Sequence, residues 1–502
     1  MSRMLRKSFL ALALSLAAAS PAHANWFWWA PVATPDLIVF GDSLSDGGAG
    51  VALADALCRE PAIGALACGK RRDSVRLGAP YYEGRSFSDG PVAVDVLARL
   101  YGKTLTPGYR NPLMPSVSRV GQNYAIAGAH AHGSGFGDMV SLNGQIGAYA
   151  HHYKIANPNT IHVILIGGND LIAAIPHNDK AAVTRAVDAI QSGVEKLAAM
   201  GAKRILVYKL LPMHDVPRFA AQPALKANAA ALTAQFNAGI DALRTPPGGV
   251  TLMRFDMSPM WSVVKQQTWW LRKDYKNACA TGTGDVLAHV KASPDANVVI
   301  SAPWLPTCAP GNRDHRAFFD DLHPSGYLHQ MLGQASYDFV YESLNGGQCA
   351  VHSWGNDTWP ARGQPAVRRG LLGSVHRYDN PYNRQREYFR LVNTGGDGAY
   401  WYYPIEKRDN HYWEYIGTTP PKHCGTAFRA AMNLWDARLP SGGVATGDFT
   451  RAKRGDRFVY VNPYINQVEY FTFLDPNNNG AFWYFPIDGV SNNRWWARTK
   501  FD

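Results

Sequence analysis

The sequence predicts an α/β sandwich built on a parallel sheet, followed by a separate aromatic-rich β module. Three observations carry this expectation. From Asp36 to about Leu344, short continuously apolar runs alternate with amphipathic helical stripes. After Gly346 the stripes nearly vanish and aromatic residues thicken. Within that second region, a set of aromatic motifs returns at a fixed offset. Strand–helix–strand alternation favours a parallel sheet covered by helices on both faces, and fixed-offset self-similarity signals duplication of one supersecondary unit.

In chain order, the first 24 residues read as a cleavable export signal. Arg3, Arg6 and Lys7 precede an apolar segment from Phe9 to Ala19, and Ala22-His23-Ala24 is a small-residue cleavage pattern. The apolar segment is too short to span a bilayer, so the expectation is a secreted or periplasmic protein cleaved after Ala24. Strands are expected at Leu37–Phe40, Ile161–Ile166, Ile205–Leu211 and Val250–Phe255, all rich in β-branched residues as strands buried on both faces should be. Val183, Val187, Ile190, Val194 and Leu197 recur at helical spacing, with Gly201 placed to end that helix. Leu225, Leu232, Phe236, Ile240 and Leu243 mark a second helical stripe. Two segments interrupt the alternation. One, from Cys58 to Phe87, reads as a loop carrying Lys70, Arg71 and Arg72; the other, from Trp261 to Asp314, carries Trp269, Trp270 and Trp304. Loops of this length serve as lids or binding loops, or are surface excursions stapled by a disulfide.

The expected boundaries are residues 25–346 for the α/β domain and 347–502 for the β module, with repeats at about 373–415 and 455–497. In the module, Asn380-Pro381-Tyr382, Glu387-Tyr388-Phe389 and Trp401-Tyr402-Tyr403-Pro404-Ile405 return as Asn462-Pro463-Tyr464, Glu469-Tyr470-Phe471 and Trp483-Tyr484-Phe485-Pro486-Ile487. Each copy reads as a pair of aromatic strands around a Gly/Asn turn, with a short helical candidate near Phe428–Trp435 between the copies. The aromatic side chains have three readings: a small packed core, a platform for sugars or a lipid interface, or a protein-interaction surface.

Formal net charge is +11, or about +8 once the three signal cations are removed, a balance that favours anionic lipid or glycan surfaces. The charge is dispersed and accompanies no nucleic-acid motif, so no nucleic-acid partner is expected. The six cysteines, Cys58, Cys68, Cys279, Cys308, Cys349 and Cys424, suit an oxidising compartment. Sequential pairing is expected because each bond then closes a local loop. No Cys-x-x-Cys and no paired histidines at zinc spacing occur, so neither metal nor other cofactor is expected. His130 with His132, and His151 with His152, lack a carboxylate or thiolate at ligand spacing. Asp475 to Gly480 opens like a calcium loop, but Pro486 stands where a bidentate glutamate is required.

Four segments carry the chemistry: Gly41-Asp42-Ser43-Leu44, Asn123-Tyr124-Ala125-Ile126-Ala127-Gly128, Gly167-Gly168-Asn169-Asp170 and Asp320-Asp321-Leu322-His323-Pro324. A serine following a buried strand sits at the carboxyl edge of the sheet, where open α/β sheets bind ligands. Each residue alone has a plainer reading: Ser43 as a helix cap, Gly128 as a turn glycine, Asn169 as a cap. In this order and with these residue types, the four segments resemble the signature blocks of the GDSL, or SGNH, hydrolase family over roughly residues 35–345. The resemblance implies an SGNH-type α/β/α sandwich, Ser43 as nucleophile, His323 as general base and Asp320 as its orienting carboxylate, with Asp321 the competitor for that last role. It also implies an oxyanion hole from the Ser43 N–H, the Gly128 N–H and the Asn169 amide. No Gly-x-Ser-x-Gly elbow occurs, which argues against the α/β-hydrolase fold.

The expected function is a secreted serine ester hydrolase acting on acyl esters of lipids or phospholipids. It would work through an acyl-Ser43 intermediate, with transfer to an alcohol as a variant of the same chemistry. Two alternatives stay open at the level of sequence: a carbohydrate O-acetyl esterase with a glycan-binding tail, and a non-catalytic adhesin.

Overall fold

A computed structural model describes residues 36–111, 118–133, 138–258, 260–261, 264–265, 274–282, 286–308 and 316–346, and seven strands beyond them. The signal segment, Cys349, Cys424, the tryptophans at 269, 270, 401, 483 and 495 and the Phe428–Trp435 stretch lie outside these residues.

The chain opens with β1 (Leu37–Gly41), α1 (Ala49–Arg59), α2 (Pro61–Cys68), β2 (Ser74–Leu77) and α3 (Ala93–Leu100). Next come α4 (Leu142–Tyr153), β3 (Ile161–Leu165), α5 (Gly168–Ala174), α6 (Lys180–Ala199), β4 (Arg204–Tyr208), α7 (Pro217–Ala220), α8 (Pro223–Asp241) and β5 (Thr251–Phe255). The domain closes with α9 (Val286–Ala292), β6 (Asn297–Ile300) and α10 (Gly326–Leu344). The main sheet runs β1-β3-β4-β5, every pair parallel, with Gly41 level with Leu165. Residues 122–126 run along the other edge of β1, exchanging backbone hydrogen bonds with Val39 and Gly41.

The expected strands are therefore present with ends shifted by a few residues. β4 stops at Tyr208, and beyond it Asn237 on α8 takes both backbone groups of Leu210, accepting from its N–H at 2.8 Å and donating to its carbonyl at 3.0 Å. Both helical stripes face the core: Val183, Ile190, Val194 and Leu197 on α6, and Leu232, Phe236 and Ile240 on α8, are fully buried. Gly201 adopts φ +106° just past α6, a left-handed conformation that only glycine takes without strain.

The Cys58–Phe87 segment is not the loop expected. It forms the end of α1, α2 and β2, and β2 pairs in parallel with β6 from the distant second segment, Ser74 opposite Asn297 through Leu77 opposite Ile300. Cys58–Cys68 and Cys279–Cys308 are bonded as expected. Val75, Leu77, Tyr81, Phe87, Val290, Val298, Ile300 and Phe319 form a second small core there. Arg72, expected as part of a basic loop, is 1% exposed. Its guanidinium donates to the carbonyls of Cys68, Val290, Ser293 and Asp295 at 2.6–3.1 Å. It thereby satisfies backbone acceptors at the end of α2 and at and just past the C-terminal end of α9. Lys70 donates to Pro294 O, so it joins Arg72 in tying the two segments into one unit, whereas Arg71 donates to Arg59 O within the first segment.

Beyond Leu344, β7 (Val351–Ser353), β8 (Val375–Asn380), β9 (Gln385–Leu391) and β10 (Trp413–Gly417) form one sheet in the order β10-β9-β8-β7. β11 (Arg457–Asn462), β12 (Gln467–Phe473) and β13 (Trp496–Thr499) form another. The repeat shows in the register: Asn380 pairs with Gln385 as Asn462 pairs with Gln467. Among the described residues each copy shows three antiparallel strands, the third beginning at Trp413 and at Trp496; the expected strands at 401–405 and 483–487 lie outside the described residues.

Candidate active site

Ser43 follows β1 directly, and the turn that holds it is built from buried acceptors. Gly41 is required at the strand end, because a Cβ there would meet Leu165 O at 2.5 Å. Gln145 on α4 accepts from Gly41 N at 2.8 Å and donates to Gly41 O at 2.8 Å, clamping both of its backbone groups. Asp42 accepts from Leu44 N at 3.0 Å. Burial pushes its carboxyl up to about 7, against the opposing pull of that N–H and of nearby His323. Asp46 accepts from the N–H groups of Gly48, Ala49 and Gly50 at the start of α1, and from Ala127 N at 2.8 Å. One carboxylate thus fixes both the serine turn and the Gly128 turn. Burial raises its pKa to about 6 despite those four donors.

The base arrives on the loop before α10. Phe319 N donates to His323 O at 2.8 Å, closing a tight turn. Within it Asp320 Oδ1 accepts from Leu322 N at 2.8 Å and from His323 N. This Asx-type turn explains the three-residue spacing: one carboxylate oxygen holds the backbone, and the other is left for the imidazole. His323 Nδ1 lies 2.8 Å from Asp320 Oδ2, and His323 Nε2 lies 2.9 Å from Ser43 Oγ. Burial opposes charge on His323, but Asp320 outweighs it and the imidazole pKa sits above its ordinary value. Burial would raise Asp320, but His323 and the two backbone donors outweigh it and hold it below the usual carboxylate range.

Asp321 turns away. It takes a bidentate ion pair from Arg218 on α7, at 2.7 and 2.9 Å, while Arg218 N donates to Asp321 O at 3.0 Å. The next segment also braces the loop, since Phe319 O accepts from Cys279 N at 3.0 Å and Ala280 N at 2.7 Å. Phe87 packs against the His323 ring with centroids 5.8 Å apart.

Gly128 adopts φ +79°, and a Cβ there would touch nothing within 4 Å, so its turn opens onto free space. Asn169, in the first turn of α5, donates through Nδ2 to Ala129 O at 2.9 Å. The same nitrogen carries a second N–H. Asp170 accepts from Ala131 N and His132 N, so neighbouring side chains on α5 hold the chain that follows Gly128. His130 Nδ1 lies 3.7 Å from Asp170 Oδ1, and His152 Nδ1 is 2.8 Å from the Tyr124 hydroxyl. Among the described residues no group of three or more His, Cys, Asp or Glu side chains is placed to hold a metal ion.

Ser43, Gly128, Asn169, Asp320 and His323 all line one cavity of about 580 Å³ at the carboxyl edge of the sheet. Most of its other walls are apolar, among them Leu53, Ile172, Leu210, Met213 and Met257. The arrangement is equipped to deprotonate a hydroxyl, accept a carbonyl carbon beside it and stabilise the resulting oxyanion. Sequence reasoning missed Asp46, Gln145 and Arg218. For Asp46 a signal existed, since an aspartate two residues before the glycine that opens a helix is a capping pattern.

The sequence model of the GDSL-like Lipase/Acylhydrolase family matches residues 37–336. A phosphatidylcholine-sterol acyltransferase from Aeromonas hydrophila is 23% identical over 339 residues, spanning 61% of this chain and 91% of the relative. A GDSL esterase/lipase from Arabidopsis thaliana is 29% identical over 213 residues, spanning 37% of this chain and 53% of that protein.

Proposed function

The chain belongs to the GDSL-like lipase/acylhydrolase family and is a carboxylic ester hydrolase, and we propose that it cleaves acyl esters of lipids through an acyl-Ser43 intermediate. The observation that carries this reading is the continuous relay from Asp320 Oδ2 through His323 to Ser43 Oγ, at 2.8 and 2.9 Å.

In the proposed path, Ser43 Oγ attacks the ester carbonyl as His323 Nε2 takes its proton. Asp320 accepts from Nδ1–H, fixing the tautomer and stabilising the imidazolium. The N–H groups of Ser43 and Gly128 and the Asn169 amide receive the oxyanion. Collapse expels the alcohol, protonated by His323, and leaves the acyl group on Ser43. Water then attacks the acyl carbon as it gives a proton to His323, and His323 returns that proton to Ser43 Oγ as the acid leaves; an alcohol attacking in the same way carries the acyl group off as a new ester.

Two observations favour lipid over acetylated sugar. The cavity is apolar well beyond what an acetyl group needs, and one relative is named for acyl transfer from phosphatidylcholine to a sterol. The two disulfides suit an oxidising compartment, in keeping with export directed by residues 1–24. We assign residues 25–346 to catalysis and 347–502 to an accessory module that meets the membrane surface or a glycan.

The test is mass spectrometry of products from phosphatidylcholine vesicles, with and without cholesterol, beside acetylated xylan. Free fatty acid, joined by steryl ester when cholesterol is present, is the expected result. Acetate from xylan with intact phospholipid would overturn the lipid reading in favour of an O-acetyl esterase.

A further inference from the structure

On α1 the residues Gly50, Leu53, Ala54 and Leu57 all line the cavity. Their spacing of three, one and three puts them on one helical face. Val286 and Leu287 of α9 line the same cavity, and both pack into the small apolar cluster that includes Val51 of α1. α9 belongs to the second interrupting segment, far along the chain from α1, and a built framework fixes its position. Arg72 binds carbonyls at the end of α2 and beyond the end of α9, β2 pairs with β6, and one disulfide begins at Cys58, immediately after Leu57. A wall that closed only the catalytic centre would need none of this. The side chains this wall presents, Leu53, Ala54, Leu57, Val286 and Leu287, are all apolar.

We propose that the part of the cavity lined by α1 and α9 is an acyl-chain subsite, in which Ala54 and Leu287 determine the length of chain accepted. Ala54 is the smallest side chain on the α1 face after Gly50, so it leaves room where a larger residue would fill the groove. Leu287 is only partly buried, so its side chain has an accessible face. Apolar burial of a long chain contributes roughly 0.8 kcal/mol per methylene, and binding energy from such a remote group is expressed in turnover as well as in affinity. The inference rests on the acyl-ester reading of Ser43 and adds the location and selectivity of the acyl site.

The experiment compares kcat/KM for p-nitrophenyl acetate and p-nitrophenyl palmitate in the full chain and in Ala54→Trp and Leu287→Trp. Thermal melting checks that each variant folds, and Leu287, being half-buried, is the safer of the two. The expected result is a loss of at least about tenfold on palmitate with acetate changed by less than about twofold. Equal losses on both esters, or unchanged palmitate turnover in both folded variants, would overturn the subsite. A second readout needs no turnover: binding of cis-parinaric acid to Ser43→Ala with and without Ala54→Trp. Weakened binding supports the subsite and unchanged binding overturns it. If wild type hydrolyses neither ester while parinaric acid binding still responds to Ala54→Trp, the hydrolytic reading fails and the subsite stands.

Discussion

Asp320 and Asp321 are adjacent in the chain, yet their carboxylates have separate partners. Asp320 lies 2.8 Å from His323 Nδ1, and Asp321 lies 2.7 Å from Arg218 Nε. The tight turn points the first inward to the imidazole and the second toward α7. Asp320→Asn should lower kcat about a thousand- to ten-thousand-fold, because the amide no longer fixes the productive tautomer. Asp321→Asn, which loosens a partly exposed pair, should lower it by less than about tenfold. Steady-state kinetics on one soluble ester checks both, and a larger loss in Asp321→Asn would reverse the assignment.

The pH dependence of kcat/KM follows from the same pair. Catalysis needs neutral His323, whose pKa is held above the ordinary histidine value as Asp320 outweighs burial. The acidic limb of the profile should therefore lie above about 6.5. In Asp320→Asn the strongest opponent of burial is lost, leaving only Asp42 and Asp321 to favour the imidazolium, and the limb of the residual activity should move to lower pH. A limb that stays in place would disconnect it from this pair.

Asn169 donates to Ala129 O with one N–H and is proposed to meet the oxyanion with the other. Asn169→Ala should cost about 3 kcal/mol of transition-state stabilisation, mostly in kcat. A rise in KM alone, with kcat unchanged, would mean that Asn169 only shapes the Gly128 turn.

Asp42 predicts a stability effect of definite sign. Its pKa rises from 3.8 to about 7 on folding, chiefly by burial, so the folded state holds this proton more tightly than the unfolded chain. The associated stability is fully present below about pH 4 and is lost as pH rises through 7. Asp46, raised to about 6, acts in the same sense. Asp42→Asn should accordingly lose less stability than wild type between about pH 4 and 7, as measured by urea unfolding across that range. Parallel curves would show that the carboxylate does not titrate there.

The four chemical segments were legible because each lies on the carboxyl edge of the sheet or on the turn entering α10, where local sequence sets local geometry. Ser43 and Asn169 come straight after apolar strands, and Asp320 and His323 share one turn. What escaped was long-range. β2 and β6 are four residues each, too short to announce themselves, and each is completed only by a partner more than 200 positions away. Arg71 and Arg72 looked alike in sequence, yet only Arg72 meets backbone carbonyls from both segments and is buried. Nothing local distinguishes the two, because the acceptors come from the end of α9 and the residues that follow it.

That buried guanidinium makes its own prediction. Arg72→Met leaves several carbonyls unsatisfied and should destabilise the domain by roughly 2–5 kcal/mol. Arg72→Lys should recover little, since an ammonium cannot reproduce a planar fork reaching carbonyls on two segments. Thermal melts of both variants check this, and full recovery by lysine would show that charge alone is what the site needs.

The central claim is that Ser43 carries the acyl group, and acid quenching during turnover of a p-nitrophenyl ester, followed by peptide mass spectrometry, tests it most directly. The account predicts acyl mass on the peptide containing Ser43, and no acylation or turnover in Ser43→Ala. Undiminished hydrolysis by Ser43→Ala, or acyl mass on a different residue in wild type, would contradict it.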